Sequence, residues 1–166
     1  MNNISVIGIG RLGLCFGLTL ETGGYNVVGC DIGQEYVDSI NDKTFISYEP
    51  GVNEKLSSST NFRAAIDLTE CTGHSRLIFV TVASYSEPDG RYDVSQVDDV
   101  VSQLVMLGAQ EEEKHLIICT NVNPGYSDTV YERLKDLNWD VSFNPETIAQ
   151  GSILKDQEKP DCVYIG

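Results

Sequence analysis

Three glycines near the start of the chain, Gly8, Gly10 and Gly13, restrict the fold more than any other sequence feature. They follow a short apolar run, Ile4–Gly8, and precede an amphipathic stretch that two further glycines end. Short apolar runs are typical of buried strands, and the stretch after the glycines has the apolar spacing of a helix. The beginning of the chain therefore predicts a strand, a tight glycine turn and a helix.

Each glycine of this turn has a physical task. Gly8 permits the tight turn, Gly10 lets the backbone approach a bound pyrophosphate, and Gly13 permits close packing of the helix on the strand. The helix N-terminus adds N–H groups and a partial positive charge for the phosphates. The spacing alone is a weak signal, but a strand before it and a helix after it make it the fingerprint of a Rossmann-type dinucleotide-binding domain.

Asp31 stands at the end of the next apolar run, eighteen positions after Gly13. An acidic residue at about this distance accepts hydrogen bonds from the adenosine ribose hydroxyls, and its charge repels the 2′-phosphate of NADP. The predicted cofactor is therefore NAD. An alternative interpretation is that Asp31 caps a helix beginning near Gly33, a role that aspartate often fills.

Short apolar runs rich in β-branched residues alternate with amphipathic stretches along the rest of the chain. Such alternation is typical of βαβ units that build a parallel sheet. We therefore predict one α/β domain over residues 1–166, with a doubly wound, mostly parallel sheet and helices on both faces. The predicted strands after the first are Asn26–Asp31, Asn61–Arg63, Leu77–Val82, Leu116–Thr120, Val141–Phe143 and Cys162–Ile165, and cover helices are predicted over Val94–Leu107 and Tyr126–Leu137.

The composition argues against two classes of partner. Eleven basic and twenty-five acidic residues give a formal net charge of −14, which repels a nucleic-acid backbone, so no nucleic-acid partner is expected. No apolar run approaches the ~20 residues of a membrane span, so no membrane partner is expected either. The N-terminus enters a predicted strand without the basic region and cleavage site of a secretory signal, and we expect a cytoplasmic protein.

The five cysteines form no CxxC pair and lie mostly inside apolar runs. They predict neither a disulfide framework nor a zinc site, and we interpret them as reduced core residues. His74 and His115 have no carboxylate or cysteine at ligand spacing, so both are interpreted as surface histidines and no metal site is predicted.

Several further segments resemble the N-terminal NAD-binding domain of the nucleotide-sugar dehydrogenases, the family of UDP-glucose and GDP-mannose dehydrogenases. Tyr48–Val52 is similar to the family's YEPGL, and Phe79–Ser84 to the strand and loop that end in VPTP. Asn144–Gly151 resembles NPEFLAEG. Ile153–Asp156 and Lys159–Gly166 resemble the end of the family's cofactor domain, AIKD and NPDRVLIG. The resemblance spans nearly the whole chain.

This resemblance implies an oxidoreductase that converts the sugar C6 alcohol into a carboxylate in two NAD-dependent steps, through a covalent intermediate on a cysteine. The family's catalytic cysteine, its lysine and its nucleotide-sugar pocket all lie C-terminal to the position of Gly166. The resemblance thus implies a chain without the central helix and the nucleotide-sugar-binding domain, and without turnover by itself. The substrate would bind through that missing domain, and a homodimer is expected of the full-length protein.

The resemblance also assigns roles to individual residues. Pyrophosphate binding falls on the glycine turn, including Ile9, Arg11 and Leu12, and ribose binding falls on Asp31. Asn121 takes the position of a family threonine that positions water and touches the nicotinamide side. The further cofactor contacts implied by the resemblance are Val82, Ala83, Ser84, Thr120 and Gln150.

Glu146 and Gln150 are the most informative of these positions. Glu146 matches a family glutamate that acts as acid or base in the hydrolytic step, and a pKa raised by burial would suit that role. The alternative interpretation is a glutamate at a helix start, stabilised by the helix dipole after Pro145. Gln150 replaces a second family glutamate beside the nicotinamide, and an amide cannot take up a proton as a carboxylate does.

The amide at Gln150 leaves other functions open. The chain would be either part of a dehydrogenase, including one of a distinct subfamily, or a stand-alone dinucleotide-binding module without catalysis. A third interpretation, a 3-hydroxyacid or 6-phosphogluconate dehydrogenase, shares the glycine turn, but the segment Asn144–Gly151 argues against it.

Overall fold

The computed structural model describes residues 2–166 and contains six strands that pair in parallel throughout. The strands are β1 (Asn3–Ile7), β2 (Asn26–Cys30), β3 (Phe62–Ala65), β4 (Leu77–Val80), β5 (Lys114–Ile118) and β6 (Trp139–Phe143). Their order in the sheet is β3-β2-β1-β4-β5-β6. The predicted doubly wound α/β fold is confirmed, with a sheet that is entirely parallel.

The direction in which the chain builds this sheet reverses once. From β1 it proceeds outward through β2 to β3, and it then returns to the other side of β1 to add β4, β5 and β6. In parallel sheets of this kind, the crevice outside the carboxyl ends of the strands at such a reversal is the preferred place for a ligand. The topology therefore directs attention to the ends of β1 and β4.

Helices cover both faces of the sheet, as the sequence predicted. The helices are α1 (Arg11–Thr22), α2 (Gln34–Asn41), α3 (Val52–Ser58), α4 (Leu68–His74), α5 (Ser95–Leu107), α6 (Tyr126–Leu134) and α7 (Ile153–Glu158). One core lies between the sheet and α4, α5 and α6, and the other lies between the sheet and α1, α2, α3 and α7. Neighbouring residues of β1 show the alternation: Val6 belongs to the second core and Ile7 to the first.

Two predicted elements differ in the structure. Residues 162–165 form no strand. Beside β6, Gly166 and Phe143 exchange two backbone hydrogen bonds of 2.9 and 2.7 Å, and the Asn144 side-chain amide donates to the Tyr164 carbonyl. An alternating sequence suits a strand locally, but a strand also requires a continuous partner, which that edge does not supply here. The helix predicted to reach Leu137 ends at Leu134 and continues as a 3-10 turn over Lys135–Leu137.

The cysteine prediction holds for four residues and is wrong for one. Cys15, Cys30, Cys71 and Cys119 are free and buried, whereas Cys162 is free and exposed. Cys162 lies in the irregular terminal segment, outside the strand in which the sequence placed it. Within residues 2–166, no helix is both long and apolar enough to cross a membrane.

Candidate functional site

The turn between β1 and α1 is fixed by contacts with two neighbouring strands. Gly8 has a φ of +88°, a backbone conformation that glycine adopts freely and other residues rarely do. Its N–H donates to the carbonyl of Cys30 at the end of β2, over 2.8 Å. A Cβ on Gly8 would lie 2.7 Å from the backbone nitrogen of Val82, just beyond β4, so only glycine fits this turn.

Gly13 is required by the approach of α1 to the same turn. A Cβ at this position would lie 2.2 Å from the Gly8 carbonyl oxygen and 2.4 Å from the Thr81 hydroxyl. That hydroxyl donates to the Gly8 carbonyl over 2.7 Å, so the turn, the helix and the loop after β4 are in direct contact. The packing role that the sequence assigned to Gly13 matches this crowding.

Gly10 has the opposite environment. Apart from its chain neighbours, no described heavy atom lies within 4 Å of the position that a Cβ on Gly10 would take. Gly10 precedes the first residue of α1, and no side chain caps the N-terminus of this helix. The first N–H groups of a helix have no partner within the helix. Open space, missing side chain and free N–H groups together leave room for a phosphate next to the backbone.

A cavity of about 760 Å³ opens at the carboxyl ends of β1, β2, β4 and β5; we call it the switch-point cavity. Its volume lies within the ~300–1,000 Å³ of typical small-molecule sites. Twelve of the residues singled out from the sequence line it: Gly8, Gly10, Arg11, Leu12, Asp31, Val82, Ala83, Ser84, Thr120, Asn121, Glu146 and Gln150.

Ile9 and Gly13, the remaining two, lie behind the cavity wall. Gly13 is buried in the packing of α1 described above. The Ile9 side chain is fully buried in the core, and its carbonyl accepts a 2.6 Å hydrogen bond from the Tyr36 hydroxyl on α2. Both residues shape the turn from the protein side, whereas the backbone of Gly10 and Leu12 faces the cavity.

Asp31 lies at the rim of the cavity, directly after β2. One of its carboxylate oxygens accepts from the Gly33 N–H over 3.3 Å, which is long for a charged hydrogen bond. The helix that follows begins at Gln34 and has Gly33, without a side-chain cap, as its N-cap residue. Asp31 thus stabilises the turn before α2 without being the helix cap, and its carboxylate still borders the cavity.

Apolar and polar residues outside the sequence motifs also line the cavity. Ile32 lines it and is 94% exposed, next to Ile66 and Leu68. Gln96, Asp99 and Gln103 of α5 line it as well. Their spacing of three and four residues on the polar face of a helix that follows a strand end was a usable signal, because it places all three on one face.

Glu146 lies on an irregular segment, residues 144–152, that follows β6 and borders the cavity. The interpretation of Glu146 as a helix-start residue is wrong, since the next helix begins at Ile153. The chain stays extended because the N–H groups of Asn144 and Glu146 donate to carbonyls at the end of β5, those of Ile118 (2.9 Å) and Cys119 (3.4 Å).

Burial raises the pKa of the Glu146 carboxyl above its ordinary value. The neighbouring Cys119 thiol is also buried, and burial together with the Glu146 charge raises its pKa to about 12. Glu146 therefore has the character of a proton acceptor with raised basicity. Cys119 stays protonated and is unsuited to act as a nucleophile.

Two side chains from distant parts of the sequence hold the segment 144–152 in place. Arg11, the first residue of α1, donates to the side-chain oxygen of Gln150. Glu49, only 6% exposed, accepts one 2.9 Å hydrogen bond from the Gly151 N–H and another from the Ile153 N–H. In the sequence, Glu49 is recognisable only as part of the family motif at Tyr48–Val52, because its hydrogen-bond partners lie about a hundred residues away.

The loop after β5 is fixed in a similar way. The Thr120 hydroxyl donates to the Val82 carbonyl over 2.6 Å, and the Asn123 side chain exchanges two 2.9 Å hydrogen bonds with the backbone of Tyr92. The loop that carries Thr120 and Asn121 is therefore tied to the loop after β4. Asn121 itself is exposed at the cavity.

The two histidines have structural contacts. His74 is half-buried with a ring nitrogen 3.1 Å from the Asn26 carbonyl, and a His115 ring nitrogen lies 2.9 Å from the Ser142 hydroxyl. Both are less exposed than the sequence analysis expected. The part of the chain that the structure describes has no group of three or more His, Cys, Asp or Glu side chains placed to hold a metal ion.

Comparison with known protein families decides which ligand this geometry serves. The family model "UDP-glucose/GDP-mannose dehydrogenase family, NAD binding domain" matches residues 2–166. The chain belongs to this family. Its cofactor is NAD, and the resemblance inferred from the sequence motifs is confirmed.

Similar proteins cover this chain almost completely. An uncharacterized protein of Methanocaldococcus jannaschii is 32% identical over 99% of this chain, which spans 18% of that protein. GDP-mannose 6-dehydrogenase of Pseudomonas savastanoi pv. phaseolicola is 26% identical over 98% of the chain and 40% of the enzyme. The chain thus spans well under half the length of these curated relatives.

Solved structures give the same picture of the fold. A UDP-glucose dehydrogenase from Pyrobaculum islandicum superposes with a TM-score of 0.87 and 27% identity, over 100% of this chain and 40% of that one. The ternary complex of a GDP-mannose dehydrogenase from Pseudomonas aeruginosa superposes with a TM-score of 0.89 at 23% identity, over 98% of this chain and 40% of that one. The family's NAD-binding domain is therefore the unit that the switch-point cavity belongs to.

Proposed function

We propose that this chain is the NAD-binding part of a nucleotide-sugar 6-dehydrogenase, which oxidises the sugar C6 alcohol to a carboxylate in two NAD-dependent steps. The single observation that carries the proposal is the glycine turn opening on the switch-point cavity, with free space at Gly10 and a carboxylate at Asp31. The named relatives, GDP-mannose and UDP-glucose 6-dehydrogenases, are about two and a half times longer. The nucleotide sugar would bind mainly through a domain outside this chain, and a homodimer is proposed for the full-length protein.

Different residues of this cavity would bind different parts of the cofactor. The backbone from Gly8 to Leu12 would hold the pyrophosphate, and Asp31 would accept from the adenosine ribose hydroxyls. The side chains of Ile32, Ile66 and Leu68 offer an apolar surface to the adenine. Val82, Ala83, Ser84, Thr120, Asn121 and Gln150 line the part toward Glu146, where the nicotinamide would lie.

Glu146 is the proposed proton carrier. NAD supplies the hydride acceptor for each oxidation step when it is bound. Glu146 has a pKa raised by burial, so it is a stronger base than an exposed carboxylate and can accept a proton from water in the hydrolytic step. Asn121 can orient that water through its amide group.

Calorimetric titration of the chain with NAD and, separately, with NADP tests the cofactor assignment. We expect NAD to bind and NADP to bind much more weakly, because the Asp31 carboxylate repels a 2′-phosphate. Equal affinity for both cofactors would contradict the role of Asp31. Binding of neither would overturn the proposal that this chain holds the cofactor by itself.

A turnover assay tests the dependence on the missing domain. The chain with NAD and UDP-glucose or GDP-mannose should produce no absorbance growth at ~340 nm, the nicotinamide signal. Steady growth would show that the chain is a complete enzyme. The same assay on the full-length polypeptide distinguishes a dehydrogenase from a dinucleotide-binding module without catalysis, the function that the amide at Gln150 would favour.

A cytoplasmic location is part of the same proposal. It is supported by four buried free cysteines, since unpaired thiols persist in reducing compartments. Fractionation of cells that express the tagged full-length protein tests it.

A further inference from the structure

The charges around the switch-point cavity are unbalanced. Among its described lining residues, Arg11 is the one cation, against the three carboxylates of Asp31, Asp99 and Glu146. The whole chain carries a formal charge of −14. An anionic pyrophosphate would therefore enter a site whose surroundings repel it, unless the Arg11 guanidinium lies close to it.

Arg11 occupies the place where that charge is needed. It follows Gly10, the residue with open space on its cavity side, and it is the first residue of α1. Its guanidinium is exposed and donates to the side-chain oxygen of Gln150 across the mouth of the cavity. This contact bridges the glycine turn and the segment 144–152, and Glu49 and the end of β5 also hold that segment.

We propose that Arg11 is a pyrophosphate ligand and that Gln150 is the positioning residue that holds it at the mouth of the cavity without neutralising it. The inference rests on the proposed function of the cavity as an NAD site. An amide oxygen accepts one N–H of the guanidinium and leaves its charge and its other donors for the phosphates. A glutamate at position 150 would form an ion pair with Arg11 and add a fourth carboxylate to the cavity wall.

Affinity measurements with three probes test the role of Arg11. NAD and ADP-ribose contain the pyrophosphate, whereas adenosine lacks it, and all three share the adenosine end. In Arg11→Gln, NAD and ADP-ribose should each bind about tenfold more weakly, and adenosine should bind as it does to the unchanged chain. The dependence of NAD binding on salt should also become shallower in this variant.

Lys135→Gln is the matched control, because it removes the same charge from an exposed lysine that pairs with Glu132 outside the cavity. It should leave the affinity for all three probes unchanged. Thermal unfolding of each variant shows that the fold is retained. An equal loss of affinity in Lys135→Gln would mean that overall charge, and not Arg11, controls binding.

A double-mutant cycle tests the role of Gln150. Gln150→Ala should weaken NAD binding about threefold more in the unchanged chain than in Arg11→Gln, because only the unchanged chain has an Arg11 guanidinium for it to release. Gln150→Glu should weaken NAD binding more than Gln150→Ala does. The positioning role would be overturned if Gln150→Ala had the same effect in both backgrounds.

The outcomes also separate this inference from the proposed function. Unchanged binding of NAD and ADP-ribose by Arg11→Gln would overturn the inference and leave the NAD site standing. Failure of the unchanged chain to bind both NAD and ADP-ribose would overturn both.

Discussion

The two walls of the switch-point cavity are built in different ways. The glycine turn is bound to the sheet: the Gly8 N–H donates to the Cys30 carbonyl of β2, and a Cβ on Gly8 or Gly13 would overlap the backbone of Val82 or of Gly8 itself. The segment 144–152 is irregular: two of its N–H groups donate to carbonyls at the end of β5, and the side chains of Glu49 and Arg11 hold its C-terminal part.

This difference shows where such a domain can change. Gly8 and Gly13 accept almost no substitution, since an added Cβ must displace the backbone of Val82 or of the turn itself. A segment held by a few long-range hydrogen bonds accepts substitutions that preserve its anchors. Gln150, the clearest departure from the family motif, lies in the second region and is matched by Arg11.

The largest expected effect comes from Gly13→Ala. The new Cβ would overlap the Gly8 carbonyl and the Thr81 hydroxyl, so we expect a loss of about 3 kcal/mol in the free energy of unfolding, measured in urea. Gly10→Ala is the matched comparison: it should change stability by about 1 kcal/mol or less and yet abolish NAD binding, because its Cβ points into open space. Equal losses of stability in the two variants would contradict the distinction between Gly13, which is needed for packing, and Gly10, which is needed for binding.

Glu49→Gln should weaken the attachment of the segment 144–152 to the rest of the protein. The new amide nitrogen would face one of the two backbone N–H groups from which Glu49 accepts hydrogen bonds. The free energy of unfolding should fall by about 1.5–3 kcal/mol. Hydrogen exchange at Gly151 and Ile153 should accelerate, while exchange at the glycine turn stays slow. Glu158→Gln, which breaks the exposed ion pair with Lys55, should cost less than about 1 kcal/mol. Faster hydrogen exchange throughout the sheet would contradict a role of Glu49 that is limited to the segment 144–152.

Asp31→Ala tests the proposed ribose contact beside the glycine turn. It should weaken NAD binding by about 1–3 kcal/mol while leaving the unfolding transition nearly unchanged, since the hydrogen bonds lost are mainly those to the ligand. Asp38→Ala removes the same charge from α2 outside the cavity and should leave the affinity unchanged. Calorimetry on both variants checks this, and equal affinity of Asp31→Ala and the unchanged chain would refute the ribose contact.

The smallest effect is expected from Glu146→Gln. Burial raises the folded-state pKa of Glu146 above its value in the unfolded chain, so its contribution to stability is fully favourable below the unfolded-state pKa and is lost as the pH rises through the folded-state pKa. The glutamine variant stays neutral and should be the more stable protein at neutral pH. The advantage should disappear in acid, and denaturant titrations across the pH range would show whether it does.

Local patterns predicted most of the fold. The positions of Gly8, Gly10 and Gly13 between a strand and a helix identified the turn, and the structure explains each of them by a contact or by open space. The predicted ends of the other strands differ from the observed ones by at most two residues, and the predicted strand Cys162–Ile165 is absent from the described sheet. The twelve predicted residues that line the cavity include Asn121, Glu146 and Gln150, which the family motifs had indicated.

The amino-acid sequence by itself determined the alternation of strands and helices, the glycine turn and the position of Asp31 after β2, because each depends on neighbours within a few residues along the chain. Only the tertiary structure decided that Glu49 holds Gly151 and Ile153, that Arg11 meets Gln150, and that residues 144–149 are not helical. These features depend on hydrogen bonds between groups up to 139 residues apart. No local pattern records such contacts, since their partners meet only when the sheet has formed.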